Sequence, residues 1–134
     1  VTVATITTTE AVTALIHAYG AALAECSTDA VLSLYTSDGV FMAPHNEVSV
    51  GADALRKSYN RVFGSTKLII EFEIMEVVET SPEWAFARTI AKGTKTVKDV
   101  GTENHKNQEL FVMQRVDGAW KIARYCFSSM KPLH

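Results

Sequence analysis

The chain has 134 residues, 47% of them hydrophobic and 21% charged, with 13 Lys and Arg against 15 Asp and Glu for a formal net charge of -2. That is the composition of a globular protein with room for one ordinary core, which excludes a large multidomain enzyme. The basic residues form no stripe that would displace counterions from phosphates, and no apolar run approaches the about 18 residues that cross a bilayer, so neither nucleic acid nor membrane is expected as a partner.

Val1 to Thr9 lacks a basic n-region and an apolar h-region and does not read as a secretion signal. From Thr9 to about Cys26, Val12, Leu15, Ile16, Tyr19, Leu23 and Cys26 recur at the spacing of one buried helix face, with Thr8 or Thr9 as N-cap. Ser27-Thr28-Asp29 caps a short second helix carrying Val31, Leu32, Leu34 and Tyr35, which should stop near Ser37-Asp38-Gly39. Val40-Phe41-Met42 reads as a brief strand ended by Pro44. A third helix should follow Gly51, with Asp53 in its first turn, and run through Leu55, Tyr59, Val62 and Phe63 to Gly64.

The remainder reads as β. Lys67 to Glu79 alternates Leu68, Ile70, Phe72 and Ile74 with charged residues and is long enough to be a bent strand. Trp84 to about Val97, Asn104 to Val116 and Ala119 to Met130 follow as strands, and Asp117-Gly118 has the chemistry of a two-residue type I′ hairpin turn. With Val116 opposite Ala119, Gln108, Leu110, Val112 and Gln114 share a face with Lys121, Ala123, Tyr125 and Phe127. Glu109, Phe111, Met113 and Arg115 then share the other with Trp120, Ile122, Arg124 and Cys126. Both faces are substantially apolar, so helices should cover one and a second subunit the other, which predicts a homodimer through the sheet.

Cys26 and Cys126 match no zinc or redox spacing; two buried free thiols in a reducing, cytoplasmic setting are expected. No two histidines share ligand spacing on one helix and the carboxylates do not gather around one, so no metal is predicted.

The runs Ala18-Tyr19-Gly20-Ala21-Ala22-Leu23, Leu34 to Pro44 (LYTSDGVFMAP), Val50 to Leu55 (VGADAL) and Asp117 to Tyr125 (DGAWKIARY), the last followed by Ser128, resemble the nuclear-transport-factor-2-like superfamily. That group includes ketosteroid isomerases, SnoaL-like polyketide cyclases, scytalone dehydratase, limonene epoxide hydrolase and the association domain of calmodulin-dependent kinase. The resemblance implies one SnoaL-like, ketosteroid isomerase-like domain over residues 1–134. Its fold would be α+β: a cone-shaped, curved antiparallel sheet packed on N-terminal helices, the cystatin-like α+β barrel, around an apolar pocket and usually in a dimer. The fold hosts unrelated chemistries, so function must come from the site.

Carried over residue by residue, Tyr19 falls on the family's pocket tyrosine. The isomerase base aspartate falls on Ala43 and its oxyanion aspartate on Phe111 or Val112, so Δ5-3-ketosteroid isomerisation is not expected. The epoxide hydrolase relay would use Arg88 but lacks its flanking aspartates, and the dehydratase residue types His45, Tyr19 and Asp38 occur at other spacings.

The catalytic candidates are Tyr19, His45, Arg88 and Asp38. Tyr19 is a hydrogen-bond donor to a developing oxyanion or a core aromatic. His45 is an acid or base at the pocket mouth or an exposed loop histidine. Arg88 is a ligand clamp or half of an ion pair with Glu109 or Asp38, and Asp38 is also read as a turn residue closing the second helix. Phe41, Tyr59, Trp84, Phe86, Glu109, Phe111 and Tyr125 are expected to bind substrate. Asn104-His105-Lys106-Asn107 is either a pocket rim or a strand end facing solvent. Two functions follow. One is a cofactor-free isomerase, dehydratase or cyclase acting on a small, mostly apolar organic molecule; the other is a noncatalytic dimeric module for ligand binding or association.

Overall fold

Thr7 opens the first helix by accepting the Glu10 amide on its hydroxyl at 3.1 Å, and α1 (Thr8–Ala24) then buries Val12, Leu15, Ile16, Tyr19 and Leu23 as their spacing requires. The computed structural model describes residues 7–132; residues 1–6 of the Val1 to Thr9 stretch lie outside the described residues. Ser27 caps α2 (Thr28–Ser33) by accepting the Ala30 amide.

Helix α2 ends earlier than its sequence suggests. Tyr35 already pairs with Ile122 of the last strand, and the Leu34 carbonyl accepts the Ile122 amide at 2.7 Å, so the chain is drawn into β1 (Tyr35–Met42). Asp38 therefore lies in a strand and closes no helix. Two further residues form the short β2 (Ser49–Val50) against β1. Gly51, with φ at 87°, takes the left-handed turn into α3 (Ala52–Ser65).

The four long strands β3 (Thr66–Ser81), β4 (Trp84–Val97), β5 (Gly101–Val116) and β6 (Ala119–Ser129) complete an open six-stranded sheet ordered β2-β1-β6-β5-β4-β3. The four long strands pair antiparallel as expected, β1 pairs antiparallel with β2, and β1 pairs parallel with β6. The helices lie on the inner face of this curved sheet, and Val12, Ile16, Leu55, Phe111, Met113 and Ile122 are fully enclosed between them. The architecture is α+β, as the alternation of helical and strand periods predicts.

The hairpin turn is as expected, with φ of 51° at Asp117 and 81° at Gly118. Its register does not run uninterrupted. Met113 pairs with Ile122, but Val112 pairs with Arg124, so Ala123 is an extra residue in β6. The bulge exchanges the faces beyond it. Tyr125 and Phe127 join Phe111 and Glu109 on the inner face, while Arg124 and Cys126 join Val112 and Leu110 outside, which corrects the uninterrupted register.

Strand β4 turns Ala85, Ala87, Thr89 and Ala91 inward, each buried, and leaves Trp84, Phe86 and Arg88 on the outer face. Cys26 and Cys126 are free and only partly buried, where fully buried thiols were expected. Among the described residues no helix is long and apolar enough to cross a membrane.

At Gly93 of β4 the β3 backbone leaves no room for a side chain: an added Cβ would stand 1.8 Å from the Ile69 carbonyl oxygen. Since the obstacle is backbone, Gly93→Ala is expected to destabilise the protein by more than about 2 kcal/mol. Gly64→Ala, in α3 with nothing near its Cβ position, should instead be neutral or gain up to about 1 kcal/mol. Urea unfolding of the two variants measures both.

Candidate functional site

A cavity of about 360 Å³ lies between α1, α3 and the sheet, and β4 contributes Ala91 and Lys95 to its lining. Its buried lining includes Tyr19, Phe41, Tyr59, Phe72, Asn107, Glu109 and Tyr125, and exposed His45, Glu47, Arg61 and Glu103 stand at its mouth. One wall is flat and aromatic. Phe111 stacks on Tyr125 with centroids 4.1 Å apart and planes within 6°, and Phe41 lies nearly parallel to Tyr125 at 5.4 Å.

Three phenols meet at the inner end of α1. Tyr59 Oη lies 2.6 Å from Tyr19 Oη and 2.8 Å from Tyr35 Oη. Three hydroxyl protons serve only two internal bonds, so one donor is left over. Tyr35 is buried, does not line the cavity and has no other partner among the described residues, so a spare proton there would be a buried unpaired donor costing about 1–3 kcal/mol. The spare donor is thus on Tyr19 or Tyr59, both of which line the cavity. Burial pushes all three phenols well above their ordinary range, so they remain protonated donors.

Glu109 sits on the same inner face, 5% exposed. The Thr89 hydroxyl, directly across on β4, donates to its Oε1 at 2.7 Å, and the Tyr125 hydroxyl donates to its Oε2 at 2.5 Å. Burial raises the carboxyl above its ordinary value; the two hydrogen bonds pull it down but do not overcome the desolvation. Further along β5, Asn107 Nδ2 donates to His105 Nε2 at 2.6 Å, and burial together with the Lys95 charge holds His105 below its ordinary value.

Of the residues expected from the sequence, Tyr19, His45, Phe41, Tyr59, Glu109 and Tyr125 line this one cavity. His45 does so from the loop after β1, exposed and with φ at 62°. Phe111 lies behind the wall, fully buried beneath Tyr125. Arg88, Trp84 and Phe86 do not reach the site, because their period-two stretch of β4 points to the outer face. Arg88 there pairs with Glu76 of β3 at 3.1 Å, both half exposed, and not with Glu109 or Asp38. Asp38 is exposed on β1, where Oδ1 accepts the Thr36 hydroxyl and its carbonyl accepts from Arg124. The sequence reading leaves His105 and Asn107 open between a pocket rim and a solvent-facing strand end, and both line the cavity; it does not select Thr89 or Tyr35 for the site. The first two had a detectable signal: His105, Asn107 and Glu109 are polar at period two in a strand whose next inward positions are Phe111 and Met113.

The family model for the SnoaL-like domain matches residues 4–125, most of the chain. The chain belongs to this SnoaL-like family. Among solved structures it is similar to a ketosteroid isomerase-like protein from Erwinia carotovora atroseptica at 39% identity and a TM-score of 0.86, over 91% of this chain and 95% of that one. It is also similar to a proposed aromatic ring hydroxylase from Novosphingobium aromaticivorans, at 26% identity and a TM-score of 0.78 over 91% and 88% of the two chains. A proposed scytalone dehydratase from the same organism shares the fold at 19% identity, with a TM-score of 0.81 over 92% and 84%. No curated protein matches at a significant level. The SnoaL-like chain thus has the ketosteroid isomerase-like fold.

The raised carboxyl has a consequence for stability. Folded Glu109 keeps its proton to higher pH than the unfolded chain does, so its contribution is fully present below the unfolded value and is lost as pH rises through the folded one. Wild-type stability minus that of Glu109→Gln should therefore fall as pH rises from about 4 to about 8. Melting temperatures of both proteins across that span check the sign, and a rising difference would show that the two hydrogen bonds outweigh burial.

Proposed function

We propose that the cavity performs cofactor-free proton transfer on a small, mostly apolar organic molecule, a reaction of the isomerase, dehydratase or cyclase type. Glu109 is the acid/base group. The observation that carries this reading is its place: a carboxyl 5% exposed, lining an aromatic cavity that also holds a spare phenolic donor. Desolvation raises the basicity of the carboxylate toward the neutral range, where a general base is most effective. In the proposed step the carboxylate takes a proton from carbon next to a carbonyl, the C–H electron pair moves into the new double bond and the carbonyl pair onto oxygen. The spare Tyr19 or Tyr59 hydroxyl holds that oxygen. The protonated Glu109 then returns the proton to another carbon, or to a departing hydroxyl that leaves as water. Membership of the SnoaL-like family and the likeness to a ketosteroid isomerase-like protein support the reading. Ala43 in place of the isomerase base means that the proton is handled from β5 instead of β1.

Deuterium wash-in from D2O to β-tetralone and other bicyclic ketones, followed by NMR, tests the proposal. Glu109→Gln should reduce exchange at least about 100-fold and Tyr19→Phe about 10- to 100-fold, with circular dichroism unchanged. Equal exchange by wild type and Glu109→Gln would sink it. The bonds that already occupy both Glu109 oxygens favour a second reading, a noncatalytic binding module. In that case wild type binds the ketones without exchanging them, and Glu109→Gln changes affinity alone.

The outer sheet face supports a homodimer. Trp84, Leu110 and Val78 are 38%, 42% and 37% exposed there, beside Phe86 and Val112, and a contiguous apolar face of this kind marks an interface. Light scattering should give twice the 14.7 kDa chain mass, and Leu110→Glu should return the monomer. A wild-type monomer at micromolar concentration would overturn the dimer.

A further inference from the structure

Asn107 is 4% exposed and lines the cavity two positions from Glu109. Its amide nitrogen can only donate, so the 2.6 Å contact requires His105 Nε2 to be a bare acceptor with the ring proton on Nδ1. Asn107 Oδ1 has no partner among the described residues, yet no side-chain polar atom sealed from solvent lacks one. Oδ1 therefore opens on the cavity as a free acceptor.

We infer that His105 sets which end of the Asn107 amide meets the ligand, and that the neutral form selects a ligand with a hydroxyl or N–H donor next to the group that reacts at Glu109. Protonation gives Nε2 a hydrogen, and two donors would then face each other at 2.6 Å. The amide turns over, Oδ1 accepts from the imidazolium, and the NH2 group faces the ligand instead. The acceptor that favours a ligand hydroxyl becomes a donor that serves any ligand oxygen. The ligand's frame follows from the wall beside Asn107: Phe41, Tyr125 and Phe127 are stacked within 30° of one another, which suits a flat aromatic ring.

The charges around His105 come from several elements. Lys95 on β4 disfavours protonation and Glu103 on β5 favours it. Lys131, beyond β6, lies 4.0 Å from Glu103 and offsets it in part. Across the mouth stand Arg61 of α3 and Glu47 and His45 of the loop after β1. Strand β3 presents Leu68 and Ile70 to the cavity, and Glu109 lies four residues further along β5. Burial and Lys95 together keep the imidazole neutral at neutral pH.

This inference rests on the proposed reading only for calling Glu109 the reacting end; selection by Asn107 is a matter of binding. The test is the affinity of β-naphthol against its methyl ether, which keeps the ring and the oxygen but loses the donor, from about pH 4.5 to about pH 8. Wild type should prefer the naphthol about fivefold at the upper end, the worth of one neutral hydrogen bond, and lose the preference at the acid end. Asn107→Leu should show no preference at any pH. His105→Gln, whose amide oxygen accepts as the imidazole does but does not titrate, should keep the preference throughout. Glu109→Gln should still lose it in acid. A preference that survives Asn107→Leu, or a loss in acid that persists in His105→Gln, would overturn the inference, as would its disappearance in Glu109→Gln. Deuterium exchange is read separately, so failure of proton transfer by Glu109 leaves these affinities interpretable.

Discussion

One extra residue in β6 decides what the cavity can do. With uninterrupted pairing from the Asp117-Gly118 turn, Arg124 and Cys126 would face inward beside Glu109, and Tyr125 and Phe127 would lie outside. The bulge at Ala123 reverses this. It exchanges a cation for a phenol, removing a salt-bridge partner that would hold Glu109 ionised and supplying a neutral donor in its place. Opposite charge beside a carboxyl lowers its pKa by 1–3 units as a general rule, whereas full burial raises it by up to several. The bulge thus sets the sign of the electrostatics as well as the shape of the wall.

The phenols depend on the same arrangement. Tyr125 stacks on Phe111 and meets Tyr19 edge to face at 5.4 Å, so α1 is held against β5 and β6 by aromatic contacts that also bring the three hydroxyls together. Inside a low-dielectric cluster, hydrogen bonds in a chain polarise one another, and the donor at its open end is strengthened. Packing and chemistry are therefore not separable here. Truncating Tyr59 would remove the middle of the chain and also a ring that stacks on Phe41 at 5.1 Å.

Periodicity made most of the fold readable. The buried stripe of α1, the inward set of β3 and the hairpin turn all follow from residue type and spacing, because each depends on local chemistry. Three things do not. The early end of α2 is caused by pairing with β6, far along the chain; the bulge at Ala123 leaves no composition signal; and the face of β4 is ambiguous. Trp84, Phe86 and Arg88 alternate with Ala85, Ala87 and Thr89, and hydrophobicity alone puts the large residues inside. Instead the small ones face inward, into the core that also holds Phe72 and Phe111. Arg88 follows the same face outward. Glu109 and Tyr125 are both among the expected site residues, but an uninterrupted register puts them on opposite faces, so their hydrogen bond is not legible in the sequence.

On the proposed reading, the geometry also bounds the ligand. His105, Asn107 and Glu109 occupy alternate positions of one strand, so neighbouring side chains are rooted about 6.6 Å apart and the three span about 13 Å. A cavity of about 360 Å³ lies at the small end of the range for ligand sites. A molecule that reaches from Glu109 past Asn107 must fill most of that volume in one direction while remaining thin enough to lie against Tyr125. Those requirements together favour a flat frame of two or three fused rings with its polar groups along a single edge. A compact polar substrate would leave the aromatic wall wet, and a flexible chain would lose rotational freedom that a preformed ring system does not have to surrender.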